Sequence, residues 1–402
     1  MIETGNDSTG AAARTGPIAR HYGMDWLRVG AFALLIVYHI GMVFVPWNFH
    51  IKARVTHDWI ILPMLALNAW RLGLLFVVSG YASRALFSRS GGLFGFARTR
   101  TSRLLVPLLF GILVIVPPQP WIELLTKHHY SRDFLSFWFS DYFSFSTLYG
   151  LFLPNWNHLW FVAYLWVYTM VLVLLLAMVP GARAQRVYDR VFGGWGVLLV
   201  PLAWGLAVHV WFLPFSGETH SLFDDWIAHI TYLPAFLFGF GLAGSRTAMA
   251  AIGRVWRVAL VMAVLGYCVK FSVDFLRPSH PDLSEFLRPA YGFAHAFQQW
   301  GAIIALIGIA DRYWNRAHPW RQMLTEAVFP FYLVHQTIIV VAMWLLLMLP
   351  MPEWAQFAIT LVATVAGCWA FYLIGREVAW LRPLIGLKLT RAAKPVKASA
   401  TA

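Results

Sequence analysis

Long apolar runs recur along the whole chain, at about residues 25–46, 61–87, 101–117, 158–179, 193–213, 226–243, 255–276, 290–310, 325–349 and 355–376. A helix needs about 20 such residues to cross the hydrocarbon of a bilayer. The pattern therefore predicts an all-α, polytopic membrane protein of about ten transmembrane helices. Charged residues make up only 12 % of the chain, about half the share of a soluble domain. The net charge of +13 would suit nucleic acid, but the basic residues are dispersed between apolar runs, which membrane topology explains better. The sequence shows no 20–50-residue repeat and no inverted repeat.

The basic residues also set an expected orientation. Arg14, Arg20, Arg84, Arg89, Arg98, Arg183, Arg186, Arg246, Arg312 and the tail residues Arg382, Lys388, Arg391, Lys394 and Lys397 alternate onto one side. The opposite loops hold fewer cations, diluted by Glu218, Asp224, Asp225, Asp282 and Glu285. The positive-inside rule then puts both termini in the cytoplasm. Residues 1–24 read as a disordered cytoplasmic tail, 25–380 as the membrane domain and 381–402 as a basic cytoplasmic tail. The first run lacks a short h-region and a small-residue cleavage site, so it reads as a retained span. Residues 117–157 read as a long periplasmic segment rich in aromatics, either an interfacial layer or a platform for sugar rings. Cys268 and Cys368 fall within spans, so neither a disulfide framework nor a metal cluster is indicated.

Ionisable groups inside spans are costly and mark functional sites by default. The first run, DWLRVGAFALLIVYHIGMVFVP, places Arg28 near its start and His39 well inside. Eleven residues make about three helical turns, so the two share a face and stand roughly 16 Å apart. Fourteen residues of helix put Asp25 roughly 21 Å from His39, so Asp25 pairs with Arg28 at i, i+3 rather than orienting the histidine. With orientation set, His39, Arg71 and His335 come to nearly one depth on three spans. A brace between helices is the alternative for Arg71, and a structural or supporting role for His335. Arg98, Arg100 and Arg103 in FARTRTSRLLVP either mark ordinary cytoplasmic charge or clamp phosphate, which Arg binds with two parallel donors. Asn157, His158 and Trp160 open the fourth run; an aromatic belt accounts for Trp160 alone. Lys270 and Asp274 read as a structural pair, and His295, Gln298 and Gln299 as an interhelical cluster.

Arg28 followed by ten residues and His39 resembles the R-x10-H signature of the membrane-bound acyltransferase-3 family. FVVSGY at 76–81, with Ser79, is similar to that family's second-span motif. Arg98, Arg103 and Pro107 match its third-span entry, and Tyr332 and His335 in PFYLVHQ its late Y-x-x-H. HLWF at 158–161 and Arg71 before the Ser-Gly resemble the glucan-succinylating branch more than the surface-polysaccharide acetylases. The resemblance implies a bacterial inner-membrane enzyme moving an acyl group, succinyl or acetyl, from cytoplasmic acyl-CoA to a periplasmic glucan or other glycan. His39 and Arg71 would then be catalytic, and Arg28, Arg98, Arg100 and Arg103 would bind acyl-CoA. Ser79, His335, Tyr332, His158, Trp160 and Asn157 would support the site or touch substrate. No permanently bound cofactor and no metal are expected; acyl-CoA, glycan acceptor and bilayer are the partners, with a homo-oligomer compatible. The rival function is a secondary transporter with a His/Arg substrate or proton site, which the missing inverted repeat disfavours. A membrane scaffold would leave the buried charges unexplained.

Overall fold

The computed structural model describes residues 21–212, 218–276 and 287–389. Of the expected tails 1–24 and 381–402, residues 1–20 and 390–402 lie outside the described residues, as do the loop charges Arg277, Asp282 and Glu285. The described residues are 77 % helical with almost no sheet. Helix α1 is Tyr22–Phe44, α2 Ile61–Asn68, α3 Arg71–Phe87, α4 Leu93–Phe110, α5 Pro118–His128 and α6 Trp160–Met178. Then come α7 Gly181–Val191, α8 Gly196–Ala207, α9 Trp226–Leu242, α10 Arg246–Leu276, α11 Arg288–Ile309, α12 Arg321–Leu346 and α13 Glu353–Glu377. Helix α1 thus begins inside the segment assigned to the tail, and a short turn at Leu381–Leu384 follows α13.

The expectation of ten spans holds in part. Among the described residues, eight helices are long and apolar enough to cross a membrane. A ninth qualifies if Gly181–Val191 and Gly196–Phe212, bent by 88° at their junction, act as one. Helix α9 is apolar but shorter than the helices that qualify as spans. Its 17 residues extend only about 25 Å at ~1.5 Å per residue, against a hydrocarbon core of ~30 Å.

Small residues let the helices close on one another. A Cβ on Gly80 of α3 would meet the Phe236 carbonyl of α9 at 1.9 Å, and one on Gly239 of α9 would meet the Val77 carbonyl at 1.9 Å. These two glycines seat the backbones against each other, as small residues do where lipid supplies no hydrophobic drive. The motif glycine beside Ser79 is therefore a packing residue. Helices α10 and α11 pack by the same means, through Gly266 and Gly301.

Two interruptions matter for the site. Pro117 and Pro118 lack N–H donors, so the helix loosens into a wider turn at Gly111–Ile115. The freed carbonyls take side-chain donors: Trp138 Nε1 on Leu113 at 2.9 Å, Tyr142 Oη on Ile112 at 2.8 Å, and Thr337 Oγ1 on Ile115 at 2.7 Å. The second span breaks between Asn68 and Arg71. There Gln298 Nε2 donates to Leu65 O at 2.9 Å and Trp70 Nε1 to Ala66 O at 2.7 Å. Gln298 is accordingly part of an interhelical hydrogen-bond cluster, and Arg71 starts the helix after the break.

The aromatic segment builds a small core of its own. Leu124, Phe137, Tyr142 and Leu153 are buried together, with Trp121, Phe134 and Trp138 packed on them. A two-stranded antiparallel hairpin, β1 Ser146–Leu148 and β2 Leu151–Leu153, pairs Ser146 with Leu153. Phe139, Phe145, Tyr149 and Phe152 stay exposed.

Candidate active site

Helix α1 organises the site, and α12 lies along it. Arg28 Nη2 donates to Thr325 O of α12 at 3.0 Å, and eleven residues on, His39 meets His335 of the same helix. The expectation that Arg28 and His39 share a face therefore holds, because both reach one neighbouring helix.

At the Arg28 end a cavity of about 840 Å³ opens between α1, α3 and α4. Arg28, Arg98 and Arg103 line it, joined by Arg89 and Lys388. Five cations around one space make a site for polyanionic groups, since Arg offers paired donors to phosphate oxygens. Arg100 does not line this cavity; its Nη2 donates to Ser83 Oγ of α3 at 3.0 Å, tying α4 to α3. Arg100 lies about 200° around the helix from Arg98, on the side that faces α3. Phe96 is fully buried against Phe87 and anchors the start of α4. Asp25 accepts from Arg321 Nη1 of α12 and shares the cavity rim. His21 caps α1, accepting from Met24 N–H at 3.2 Å, and bonds Asp311 at 2.8 Å.

The second level lies at His39. Its Nδ1 stands 2.8 Å from His335 Nε2, and His335 Nδ1 stands 2.8 Å from the carbonyl of Tyr332. A carbonyl only accepts, so His335 carries its proton on Nδ1. In the neutral ring its Nε2 is then an acceptor, and His39 must donate from Nδ1. That order leaves the lone pair of His39 on Nε2, the nitrogen turned away from His335. His335 is fully buried whereas His39 is half-buried, so the accessible nitrogen of the pair belongs to His39 and the buried ring fixes its orientation. This is the division of labour between a general base and the group that orients it.

His158 and Tyr332 complete the cluster. His158 Nε2 donates to Leu333 O at 3.2 Å, while its Nδ1 is buried with no hydrogen-bond partner among the described residues. Its ring meets the ring of His335 edge-on at 5.1 Å. Tyr332 Oη donates to the carbonyl of His158, so one tyrosine holds both histidines. Asn157, which turns the chain into α6, adopts φ +41°, a left-handed conformation that asparagine tolerates. Trp160 stacks on His220 at 4.3 Å and is a wall of the core rather than a partner of His39.

Arg71 is 5 % exposed, with its guanidinium carbon 3.4 Å above the ring of Tyr38. Its Nε and Nη1 find no hydrogen-bond partner among the described residues. It lies within electrostatic reach of His39, as do His158 and His50. A buried cation on one ring face, with two guanidinium nitrogens unpartnered among the described residues, suits an anionic or strongly polar ligand. No described hydrogen bond joins Ser79 to His39, His335 or Arg71; its carbonyl accepts from Ser83 at 2.7 Å.

Several contributors escaped the sequence reading. Gln119 is fully buried at the start of α5, where its Oε1 accepts from Asn157 and Gln336, each at 3.0 Å, and its Nε2 donates to Thr337 at 2.7 Å. It joins the neighbours of His158 and His335. Glu123, one turn on, binds His50 at 2.5 Å and Lys127 at 2.7 Å. His50 in turn follows Phe49, whose ring lies parallel to that of His39 at 6.3 Å. Lys52 pins the same loop to the carbonyls of Met42 and Val45; burial and neighbouring Lys127 pull its ammonium down to about 8. The only sequence signal for Gln119 was its place after the Pro117-Pro118 pair, and for Tyr38 its adjacency to His39. Lys270 meets His295 at 3.4 Å and Tyr291 by its ring face, apart from this cluster.

Comparison with known proteins follows this geometry. The family model described as an acyltransferase domain, of the acyltransferase-3 type, matches residues 21–373. "Glucans biosynthesis protein C" of Salmonella gallinarum is 28 % identical over 166 residues, 41 % of each chain. Proteins of the same name from Salmonella paratyphi B and Salmonella enteritidis are 29 % identical over 157 residues, 39 % of this chain and 38 % of theirs. The chain thus spans about two fifths of the length of the curated relatives it matches. No solved structure matches.

Proposed function

The chain belongs to the acyltransferase-3 family and is a multi-pass membrane acyl-group transferase, and from that premise we propose that it carries acyl groups, succinyl before acetyl, from cytoplasmic acyl-CoA to a hydroxyl of a periplasmic glucan or other extracytoplasmic glycan. The distribution of arginines supports a bacterial inner-membrane orientation with both termini in the cytoplasm. The relatives named for glucan biosynthesis support the glucan acceptor.

In this reading the basic cavity of Arg28, Arg98 and Arg103 holds the phosphates of the coenzyme. The pantetheine arm extends along α1, and roughly 16 Å of helix brings the thioester from Arg28 to His39. His39 Nε2 takes the proton of the attacking hydroxyl while the oxygen adds to the thioester carbonyl. The C–S bond breaks, the proton passes from Nε2 to the departing thiolate, and ester and free coenzyme A leave. His335, hydrogen-bonded to the Tyr332 carbonyl, keeps His39 in the tautomer this step needs. Arg71 pairs with the free carboxylate of a succinyl group, or faces the oxyanion when the acyl group is acetyl. The observation that carries the proposal is the hydrogen-bond chain Tyr332 carbonyl–His335–His39, which leaves one accessible lone pair on Nε2.

The test is transfer of labelled acyl from acetyl- and succinyl-CoA to a glycan fraction, with membranes bearing intact protein or His39→Ala. Label should reach glycan from succinyl-CoA in preference and fall ~10²–10⁴-fold in the variant, the span of general-base contributions. Equal transfer by both proteins would remove His39 from the chemistry. Solute entering vesicles without consumption of acyl-CoA would replace this reading by transport.

A further inference from the structure

Beyond α13 the chain folds into a short strap, and one buried residue ties it together. Arg382 is 7 % exposed; its Nε donates to Lys388 O at 2.6 Å and its Nη1 to Arg376 O at 2.6 Å. Leu387 N–H returns a bond to Arg382 O at 2.8 Å. Gly386 closes the loop at φ +80°, a conformation that suits glycine, and a Cβ there would meet the Phe329 ring of α12 at 2.5 Å. Ile385 and Leu387 are buried, and the turn Leu381–Leu384 packs on α4 and α13. The strap ends by bringing Lys388, itself exposed, to the lining of the basic cavity. Four arginines already line that space, so a fifth cation adds repulsion unless an anion occupies it.

The five cations fall into two groups by depth. Arg28 and Arg103 are half-buried, and Arg103 lies about 7.5 Å further along α4 than Arg98 at ~1.5 Å per residue. Arg89, Arg98 and Lys388 are exposed, and each comes from a different segment: the turn after α3, α4 and the strap. We propose that this outer trio is a subsite for the 3′-phosphate of the coenzyme, and that Arg382 is the residue that positions Lys388 in it. The inference rests on the acyl-CoA reading above and deepens it. In coenzyme A the pantetheine arm leaves from the diphosphate, while the 3′-phosphate stands beyond it on the ribose. An arm that runs along α1 to His39 leaves the diphosphate beside Arg28 and Arg103, and the 3′-phosphate outermost. That group is a monoester carrying about −1.5 to −2 charge near pH 7, so it suits the larger group of cations. A donor without it, such as a dephospho-coenzyme or a pantetheine arm on a carrier protein, leaves the trio unanswered. The strap thus selects the donor far from the atoms that react.

The experiment uses the full chain in bilayer discs with two donors, succinyl-CoA and its 3′-dephospho analogue. It reads acyl transfer to glycan and, separately, calorimetric binding of adenosine 3′,5′-bisphosphate. For succinyl-CoA, kcat/KM should stand about thirtyfold above that of the analogue, a preference that shrinks at high salt. Lys388→Glu turns attraction into repulsion, so it should cut that preference about tenfold and weaken bisphosphate binding with it. Arg382→Lys keeps the charge but loses the rigid fork that spans two carbonyls; it should cut the preference about threefold, with kcat/KM for the analogue unchanged. A strap needed only for packing would lower both donors alike in that variant, which would overturn the positioning role. Equal use of the two donors by intact protein would overturn the subsite and leave acyl transfer standing. Bisphosphate binding that depends on Lys388, without acyl transfer from either donor, would instead sink the acyl-CoA reading and leave the phosphate subsite.

Discussion

The two levels of α1 handle charge in opposite ways. At the Arg28 end, five cations share a wide cavity, and Arg98 is exposed. Water and neighbouring cations buffer any one of them, and salt screens the whole. At the His39 end, each polar group depends on one or two fixed partners: His335 on the Tyr332 carbonyl, Asn157 and Gln336 on Gln119. Where burial removes water, the loss of one partner strands another group and the full desolvation penalty appears. One level therefore suits binding of a mobile, highly charged molecule, and the other suits a single chemical step that needs one geometry.

The contrast can be broken by substitution. The largest effect is expected from His335→Ala, which removes the acceptor of His39 Nδ1–H and frees the ring to rotate. Acyl transfer should fall on the order of 10²-fold in kcat with KM for acyl-CoA unchanged; a matching rise in KM would move His335 from orientation to donor binding. Gln119→Leu should come next. It strands the amide donors of Asn157 and Gln336, at ~1–3 kcal/mol each, so thermal denaturation in detergent should shift downward and kcat should fall with it. An unchanged melting temperature would show that water replaces the amide there.

Smaller effects belong to the basic cavity. Arg28→Ala removes a charged donor that also bonds Thr325 O. It should raise KM for acyl-CoA about tenfold, the equivalent of ~1.4 kcal/mol, with kcat nearly intact. Arg98→Ala should have the least effect, about threefold in KM at physiological salt and more at low ionic strength. If Arg98→Ala lowered kcat more than His335→Ala, the division between the two levels would be reversed. Gly80→Ala is a structural counterpart: its Cβ would sit 1.9 Å from the Phe236 carbonyl. Overpacking of ~1–3 kcal/mol should then appear as lost stability at both levels alike.

Much of this architecture is legible in the chain because bilayer physics acts locally. Apolar length marks spans, and helical periodicity places Arg28 and His39 on one face, the face that α12 covers. Span counting held only in part, because length alone could not decide the seventeen-residue α9 or the bend before α8. Proximity in sequence misled at Arg100, which shares a run with Arg98 and Arg103 but turns to Ser83. By itself the sequence determined that the protein lies in a membrane, where its buried ionisable groups sit along each helix, and which motif residues they are. Only the tertiary structure decided that His335 would meet His39 nitrogen to nitrogen, that Arg71 would lie over Tyr38, and that Gln119 and Lys388 would join the two levels. The physical reason is that depth and face follow from a single helix, whereas a hydrogen-bond partner depends on the rotation and register of helices some 300 residues apart, as with His39 and His335, whose separation is 296 residues.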